Sequence, residues 1–312
     1  MTDPADSPLP TDSPTGSPTD SPTDSPTGSP TDSPTDSPTD KETVVLDDTL
    51  VDAYLSRIGA QRPERADLDA LRQLQERHVL SVPFENLGYH LGEPVHMDER
   101  VLDKIVRQHR GGGCYEVNPA FSFLLEALGF RTAILPGRVH RPGGQLGAAL
   151  CHLALRVTLD GRDWLVDVGF GRNSRHPLRL DSREVQQDPD GEYQLLDAED
   201  GSIDVLLDGR PLYRLDDRPV RLEDFGPTLW WYRTSPESPF LQDVFCSLRT
   251  EDGRITLKGN RLSTVAGRER GSEEFADDSA VLAAYKTHFG FSLDRLPSEP
   301  TAAGATAGVQ TG

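Results

Sequence analysis

A β-hairpin signal over residues 151–171 constrains the fold of this chain more than any other feature. Two stretches rich in apolar residues, 151–159 and 162–171, flank Asp160-Gly161, a dipeptide typical of two-residue hairpin turns. With this turn, Leu159 faces Arg162, and the rest of the register follows by counting. One face becomes wholly apolar, with Leu153 opposite Val168, Leu155 opposite Val166 and Val157 opposite Trp164.

The other face of the hairpin carries groups that can take part in chemistry. It presents His152, Ala154, Arg156 and Thr158 opposite Gly169, Asp167, Leu165 and Asp163. His152 and Asp167 are then diagonal neighbours, roughly 7–8 Å apart at the backbone, so that an imidazole and a carboxylate can meet. A shift of one residue would separate them and would also spoil the apolar face. The plainer interpretation is a surface hairpin in which this pair has no further role.

A second feature is the segment Arg-Gly-Gly-Gly-Cys-Tyr-Glu-Val-Asn at residues 110–118. A helical apolar pattern follows it and stops at Gly129, which predicts that Cys114 begins a buried helix. The positive end of the helix dipole and the unpaired amides of the first turn favour a thiolate there. The glycines let the backbone approach a ligand closely. A cysteine with a purely structural role is the alternative.

The two ends of the chain lack the residues that form a core. Seven tetrads, Ser-Pro-Thr-Asp or Ser-Pro-Thr-Gly, run from Ser13 to Asp40, and the first 40 residues contain ten prolines and no aromatic residue. We therefore predict a disordered repeat tail over residues 1–42. Residues 297–312 are small and polar, and we predict a second disordered tail there.

Charge and cysteine content limit the partners and the compartment. The net charge is −19, and the eight aspartates of the first 40 residues leave −11 on the remainder (19 − 8 = 11). This acidity argues against binding to nucleic acid. No apolar run approaches the roughly 18 residues of a membrane span, and no signal peptide is evident, so we expect no membrane partner. Three scattered cysteines give neither a disulfide framework nor a metal-binding spacing, which fits a reducing cytoplasm.

The order of the remaining patterns predicts an α+β fold. Helices are expected over about 50–58, 65–78 and 99–109, hairpin turns at 190–191, 208–209 and 251–253, and a last helix over 279–288. We accordingly expect a helical domain over residues 43–129, a strand-rich domain with His152 and Asp167 over 130–232, and a third domain over 233–296. The aromatic residues Trp230, Trp231 and Tyr232 are expected in a core or an interface.

Four ordered motifs resemble those of the arylamine N-acetyltransferases. Residues 110–118 resemble the family's Arg-Gly-Gly-x-Cys-x-Glu-x-Asn loop. The His-x-x-Leu strand at His152 and the Asp-Val-Gly-Phe-Gly strand end at Asp167 are also similar. Residues 82–87, Val-Pro-Phe-Glu-Asn-Leu, look like the family's Ile-Pro-Phe-Glu-Asn-Leu motif. The spacings of 38 residues from Cys114 to His152 and 15 from His152 to Asp167 match as well, and the resemblance covers about Asp47 to Leu296.

This resemblance implies a fold and a reaction. The fold would be an N-terminal helical bundle, a central antiparallel β-barrel and a C-terminal α/β lid around a cysteine-protease-like Cys-His-Asp core. The reaction would be a ping-pong transfer from acetyl-coenzyme A to a small aromatic amine or hydrazine through an acetyl-cysteine. It would need no metal and no tightly bound cofactor.

The resemblance also implies roles for individual residues. Cys114 would be the nucleophile, His152 the base and Asp167 the group that orients the base. Structural support would come from Arg110, which braces the glycine loop, with Glu116 as its partner. The acceptor pocket would be lined by Phe84, Val139 and Phe170. The thioester end of acetyl-coenzyme A would meet the backbone of Ala148, Ala149 and Cys151.

Three alternatives remain open at this level. An amide synthase of the same fold would use these three residues on a carrier-bound acyl thioester to form a macrolactam. Transglutaminase-like and papain-like enzymes also use a cysteine, a histidine and an acid in this order, but the glycine loop and the Asp-Val-Gly-Phe-Gly strand argue against them. A binding module with an inert thiol would leave four motifs without an explanation.

Overall fold

The computed structural model describes residues 46–298, and the first part of this range is mainly helical. The helices are α1 Asp48–Ile58, α2 Leu68–Ser81, α3 Leu87–Leu91, α4 Cys114–Ala127, α5 Gly226–Thr234 and α6 Asp278–Phe289. Asp47 and Asp67 cap α1 and α2 by accepting backbone N–H bonds, and Gly59 ends α1 in the left-handed conformation. The two predicted disordered tails lie outside the described residues, except for residues 297 and 298.

The helix expected over residues 99–109 is shorter than predicted. Its centre, Asp103–Arg107, is a π-helical turn, and the chain then leads through the glycine segment into α4. Helices α1, α2 and α4 share one core with the apolar face of the hairpin. Buried residues of this core include Tyr54, Leu71, Leu74, Tyr115, Phe121 and Leu124.

The middle of the chain forms an eight-stranded antiparallel sheet with the order β5-β4-β3-β2-β9-β8-β7-β6. Its strands are β2 Arg131–Val139, β3 His152–Leu159, β4 Arg162–Val166, β5 Leu178–Arg179, β6 Gln186–Asp188, β7 Gly191–Asp197, β8 Ile203–Leu207 and β9 Arg210–Leu215. The Gln186 side-chain amide exchanges hydrogen bonds with the backbone N–H (2.7 Å) and carbonyl (3.1 Å) of Arg179. These bonds join the two edge strands, so the sheet is a nearly closed barrel.

The hairpin register confirms the prediction from the turn. Leu159 pairs with Arg162, and the ladder continues to Leu155 opposite Val166, with positive φ at both turn residues. The ladder ends there, so the expected pairing of Leu153 with Val168 was wrong. The Asn118 side chain takes its place, because its Nδ2 donates to the Leu153 carbonyl (2.6 Å) and its Oδ1 accepts the Val168 N–H (2.9 Å).

The last part of the chain forms a five-stranded sheet that packs on α6. This lid sheet has the order β1-β10-β11-β12-β13. Its strands are β1 Phe84–Glu85, β10 Phe245–Thr250, β11 Gly253–Lys258, β12 Arg261–Ala266 and β13 Glu269–Glu274. The sequence predicted β10 and β11, on either side of the turn at residues 251–253. It did not predict β13, whose residues are all exposed, or the inclusion of β1 from the helical part of the chain.

The observed architecture confirms the predicted α+β class of helical bundle, barrel and lid, whereas the domain boundaries stay a prediction. Of the aromatic cluster, Tyr232 is buried, as expected for a core position, whereas Trp230 is 68% exposed, so that its place in an interface stays a prediction. Within residues 46–298, no helix is both long enough and apolar enough to span a membrane.

Candidate active site

Cys114 is the first residue of α4, and its loop is tied to the first helical turn. The Gly113 N–H donates to Oε2 of Glu116 at 3.3 Å, and the Glu116 N–H donates to the Gly113 carbonyl at 2.9 Å. Cys114 itself is buried, with 5% of its surface exposed. The prediction that this cysteine begins a buried helix is therefore confirmed.

Gly169 brings the end of the hairpin against the start of α4. A Cβ atom at Gly169 would lie 2.6 Å from Cα of Cys114 and 2.8 Å from Nδ2 of Asn118. These separations are far below van der Waals contact, so this close approach requires glycine. The segment that follows β4, beginning at Asp167, is thereby held next to the cysteine.

His152 and Asp167 form a buried pair on one side of this contact. His152 Nε2 lies 2.8 Å from Oδ2 of Asp167, and the two residues are 1% and 2% exposed. The expectation that they meet is confirmed, and the interpretation as a surface hairpin is wrong. The other carboxylate oxygen, Oδ1, accepts Nδ2 of Asn118 at 3.0 Å and the Gly169 N–H at 2.8 Å. Nδ1 is thus the ring nitrogen of His152 that Asp167 leaves available.

The electrostatics of the pair favour its charged form. Burial lowers the pKa of His152, but the charge and hydrogen bond of Asp167 and a hydrogen bond with Cys114 raise it more strongly, to about 10. Burial raises the pKa of Asp167, but His152 and the donors Asn118 and Gly169 hold it below its usual range. At neutral pH the imidazole is therefore protonated and the carboxylate ionised.

Two aromatic rings enclose the His152 imidazole. The Tyr213 ring centroid lies 4.5 Å from that of His152, and the Phe170 centroid lies 5.1 Å from it. Tyr213 belongs to β9 and no sequence pattern pointed to it, because its position next to His152 depends on how the barrel strands are ordered. The rings keep water away from the His152–Asp167 pair.

Arg110 and Glu116, the two residues expected to support the glycine loop, pair with residues other than each other. Arg110 is 3.0 Å from Glu85 Oε1 and 3.4 Å from Glu93 Oε2, not paired with Glu116. Glu116 instead pairs with Lys104 at 2.7 Å, and Lys104 also reaches Glu85 at 3.4 Å. Their structural role is thus shared with Glu85 and Lys104, because β1 inserts Glu85 between the two cations.

The three residues expected in an acceptor pocket lie on more than one element. Phe84, on β1, packs against Phe245 with 5.4 Å between the ring centroids and closely approaches Gly171. Phe170 contacts the His152 ring. Val139 ends β2, where its N–H donates to Sγ of Cys151 at 3.2 Å.

The segment expected to meet a thioester lies beside α5. Thr228 donates its hydroxyl to the Ala149 carbonyl at 3.2 Å, and Tyr232 donates to the Cys151 carbonyl at 2.8 Å. Ala148 and Ala149 are exposed, whereas the Cys151 side chain is buried. A ligand can therefore reach the backbone of the two alanines.

Asn118 is a second site residue, after Tyr213, whose role the sequence analysis did not predict. It belongs to the glycine-loop motif and lies one helical turn after Cys114, on the same face of α4. Its amide fixes Asp167, Val168 and Leu153 at once. The four-residue spacing from Cys114 to Asn118 is the sequence feature that could have predicted a role for Asn118 in the site.

Comparison with known proteins finds two matching family models and several similar proteins. A family model described as N-acetyltransferase matches residues 67–297, and one described as PT disordered repeat matches residues 9–44. The chain is 36% identical over 255 residues to the arylamine N-acetyltransferase of Mycolicibacterium smegmatis, covering 78% of this chain and 92% of that protein. It is 34% identical over 239 residues to arylamine N-acetyltransferase 1 of Homo sapiens, covering 68% and 82%.

Solved structures of similar proteins share the architecture. The Mycobacterium marinum arylamine N-acetyltransferase in complex with CoA aligns with a TM-score of 0.71 at 32% identity, covering 77% of this chain and 92% of that one. The residues that the N-acetyltransferase family model matches include Cys114, His152 and Asp167.

Proposed function

The chain belongs to the arylamine N-acetyltransferase family, and from this we propose that it moves an acetyl group from acetyl-coenzyme A to an arylamine or arylhydrazine through an acetyl-cysteine at Cys114. The observation that carries the assignment of residues is the buried His152–Asp167 pair, 2.8 Å apart, next to the first residue of α4. We propose the cytoplasm as its compartment, since Cys114 must stay reduced to react.

In the first half-reaction, Cys114 acts as a thiolate paired with the His152 imidazolium. The sulfur attacks the thioester carbonyl of acetyl-coenzyme A, and a new carbon–sulfur bond forms. The bond to the coenzyme sulfur then breaks, and the departing thiolate takes the proton from His152. The raised pKa of His152 supports this assignment, because it keeps the proton on the ring until the leaving group needs it.

In the second half-reaction, the amine nitrogen attacks the acetyl carbon on Cys114. His152 gave its proton to the departing coenzyme thiolate in the first half-reaction, so the neutral ring can accept the amine proton. The carbon–sulfur bond breaks, and the amide leaves with Cys114 again a thiolate. Asp167 holds the imidazole by Nε2 in both half-reactions, so that Nδ1 is directed to the reacting atoms.

The two substrates approach from different sides in this proposal. Ala148, Ala149 and the backbone of Cys151, beside α5, would receive the thioester end of acetyl-coenzyme A. Phe84, Phe170 and Val139 would line the space for the acceptor ring. The exposure of the two alanines and the closeness of Phe170 to His152 support this division.

The mechanism predicts a covalent intermediate that mass spectrometry can detect. Incubation of the full chain with acetyl-coenzyme A and no amine should add one acetyl group to the peptide that contains Cys114, as measured by mass spectrometry. Cys114→Ala should lose the adduct and turnover while keeping its circular dichroism spectrum. Cys246→Ala is the matched control, because Cys246 lies fully buried between the lid sheet and α6, and it should keep both.

Two results would contradict the proposal. An acetyl group on Cys151 would show that Cys114 is not the nucleophile. A complete absence of adduct would show that the reaction does not pass through an acetyl-cysteine. An acceptor screen of anilines and hydrazines, compared with a carrier-bound acyl chain, separates acetyl transfer from amide synthesis. Among residues 46–298, no contact favours the amide synthase.

A further inference from the structure

Three successive backbone carbonyls just before His152 each accept a hydrogen bond from a side-chain hydroxyl of a helix. The pairs are Thr228 with Ala149 at 3.2 Å, Tyr232 with Cys151 at 2.8 Å, and Tyr115 with Leu150. The first two hydroxyls belong to α5 and the third to α4. We call Tyr115, Thr228 and Tyr232 the hydroxyl clamp. It joins one short segment of chain to two helices.

The segment bound by the clamp contains a residue in an unfavourable backbone conformation. Residues 148–151 form a tight turn, which the Cys151 N–H closes by donating to the Ala148 carbonyl at 3.3 Å. Leu150, the third residue of the turn, has a φ of 60°. A turn with positive φ at this position normally carries glycine or asparagine there, because a bulky side chain is strained in the left-handed region. The bonds to the three carbonyls oppose the relaxation of Leu150 to an ordinary conformation.

The two tyrosines of the clamp are fixed by the rings around them. Tyr115 and Tyr232 are 2% and 4% exposed, and their rings meet edge to face with 5.7 Å between the centroids. The Phe225 ring packs against Tyr115 at 5.2 Å. Burial raises the pKa of both tyrosine hydroxyls, so both stay protonated at neutral pH and can donate. The carbonyls of Leu150 and Cys151 therefore have permanent donors.

The bond from Tyr115 to Leu150 connects the surroundings of the two reacting residues. Tyr115 directly follows Cys114 in α4, and Leu150 lies two residues before His152, the first residue of β3. The Cys114 and His152 side chains are hydrogen-bonded to each other. At most two residues of chain separate each reacting residue from this bond, so a change of conformation at Leu150 also displaces His152.

We propose that the three residues of the hydroxyl clamp are positioning residues, which keep Leu150 in the left-handed conformation and thereby hold the His152 imidazole at hydrogen-bonding distance from Cys114. This inference rests on the proposed acetyl transfer, in which these two side chains react. The clamp acts through the backbone. Without one of its hydroxyls, a carbonyl loses its donor, and rotation of Leu150 out of the left-handed region relieves the strain. The chain that leads into β3 then shifts, and the imidazole withdraws from the thiol.

The first test deletes a single oxygen atom with Tyr115→Phe. The rate of Cys114 acetylation is measured by mass spectrometry with saturating acetyl-coenzyme A and no amine. It should fall by roughly tenfold to a hundredfold, since a displacement of about 1 Å in a reacting group has an effect of that size. Thr228→Val and Tyr232→Phe each remove another bond of the clamp, and each should also slow acetylation.

The second readout is the pH profile of Cys114 alkylation by iodoacetamide. The groups that raise the pKa of His152 are Asp167 and Cys114. Tyr213, whose ring packs on that of His152, has a pKa raised by burial and stays protonated. The clamp carries no charge, so Tyr115→Phe alters the profile only by separating His152 from Cys114. The midpoint of alkylation should then move towards the ordinary thiol pKa of about 8.5, whereas a role in stability alone would leave it unchanged.

A rescue experiment tests the link through Leu150. Glycine adopts a positive φ without strain, so a turn with glycine at position 150 keeps its conformation with fewer bonds to its carbonyls. Leu150→Gly in the Tyr115→Phe background should therefore acetylate Cys114 severalfold faster than Tyr115→Phe alone.

The matched control is Tyr54→Phe, which deletes the same atom from another buried tyrosine. The Tyr54 hydroxyl lies 2.9 Å from Nε2 of His78, between α1 and α2. This variant should lose stability against urea, as Tyr115→Phe does, but keep the acetylation rate and the pH profile. If Tyr115→Phe does not fold, Thr228→Val takes its place in every comparison, because Thr228 is only half-buried.

Two results would overturn the role of the clamp. One is an acetylation rate and a pH profile in Tyr115→Phe that match those of the unmodified protein. The other is a double variant with Leu150→Gly that is as slow as Tyr115→Phe, since the effect would then not pass through the turn. Failure of the proposed function is distinguishable. It would remove the acetyl adduct from the unmodified protein, while the alkylation profiles still report the separation of His152 from Cys114.

Discussion

At the residue scale, the His152–Asp167 pair shows how burial and charge act against each other. Burial alone would deprotonate the imidazole and protonate the carboxylate. Asp167 prevents this because Asn118 and Gly169 donate to its second oxygen and so stabilise its negative charge. The pKa of His152 is about 10 as a result. The contribution of His152 to stability is complete below the ordinary histidine pKa of about 6.5 and is lost as pH rises through about 10, whereas the contribution of Asp167, whose pKa is lowered, is lost as pH falls below the ordinary aspartate pKa.

The pair predicts the reactivity of Asp167→Asn. Without the carboxylate, burial dominates, the pKa of His152 falls, and the Cys114 thiolate loses its imidazolium partner near neutral pH. The rate of Cys114 alkylation by iodoacetamide at pH 7 should fall about tenfold or more. A fall of one unit in the pKa of His152 is a tenfold change in its protonation equilibrium, or about 1.36 kcal/mol. The readout is the alkylation rate of the Cys114 peptide against pH. An unchanged pH profile would show that Asp167 does not set the charge of His152.

At the element scale, the three glycines before Cys114 are not equivalent. A Cβ at Gly111 would lie 1.8 Å from the Pro83 carbonyl oxygen, whereas one at Gly113 would meet only the Phe240 ring at 3.5 Å. Gly111 therefore allows the glycine segment to lie against β1, and the Gly112 N–H donates to the Pro83 carbonyl at 3.2 Å. The contact aligns the residue pair Phe84–Glu85 with the glycine segment before Cys114.

Gly111→Ala should consequently destabilise the protein, whereas Gly113→Ala should be tolerated. The first change forces the backbone of two segments apart and should destabilise the protein by roughly 1–3 kcal/mol. The second places a methyl group at an ordinary contact distance, so its midpoint of urea unfolding should stay close to that of the unmodified protein. Equal midpoints for the two variants would show that the loop can yield at Gly111.

Elements with a local signal could be predicted from the sequence, and those with distant partners could not. The hairpin register followed from Asp160-Gly161 and an apolar face, and counting from that turn was enough to place His152 near Asp167. Strand β1 has two residues, and its partners in β10 are Ser247 and Cys246, far away in sequence. Strand β13 is entirely polar, so no alternation marked it. The contact of Cys114 with the hairpin required the resemblance, because no local pattern links the two.

At the scale of the whole molecule, a buried ion-pair network joins the helical part to the lid. It consists of Glu85, Lys104, Arg110 and Glu116, of which Glu85 belongs to the lid sheet through β1 and Glu116 to α4. Burial raises the pKa of Glu85, but Lys104 and Arg110 hold it below its usual range. The guanidinium of Arg110 also lies 5.4 Å from the Phe291 ring centroid, near the end of the described chain. The position of Cys114 therefore depends on contacts from three parts of the chain.

Arg110→Met tests this network, because it leaves a carboxylate buried with one cation fewer. The free energy of unfolding should fall by about 3–5 kcal/mol, the cost typical of breaking a buried pair. Arg107→Met is the matched control three residues earlier: its partner Asp103, at 3.1 Å, is exposed, so the change should be below about 1 kcal/mol. Chemical denaturation of both variants measures the difference.

Since the pKa of Glu85 is lowered in the folded protein, its ion pairs stabilise the protein above the ordinary glutamate pKa and are lost as pH falls. The deficit of Arg110→Met should therefore shrink in acid, and a deficit that stays constant would point to lost packing against Phe291 instead.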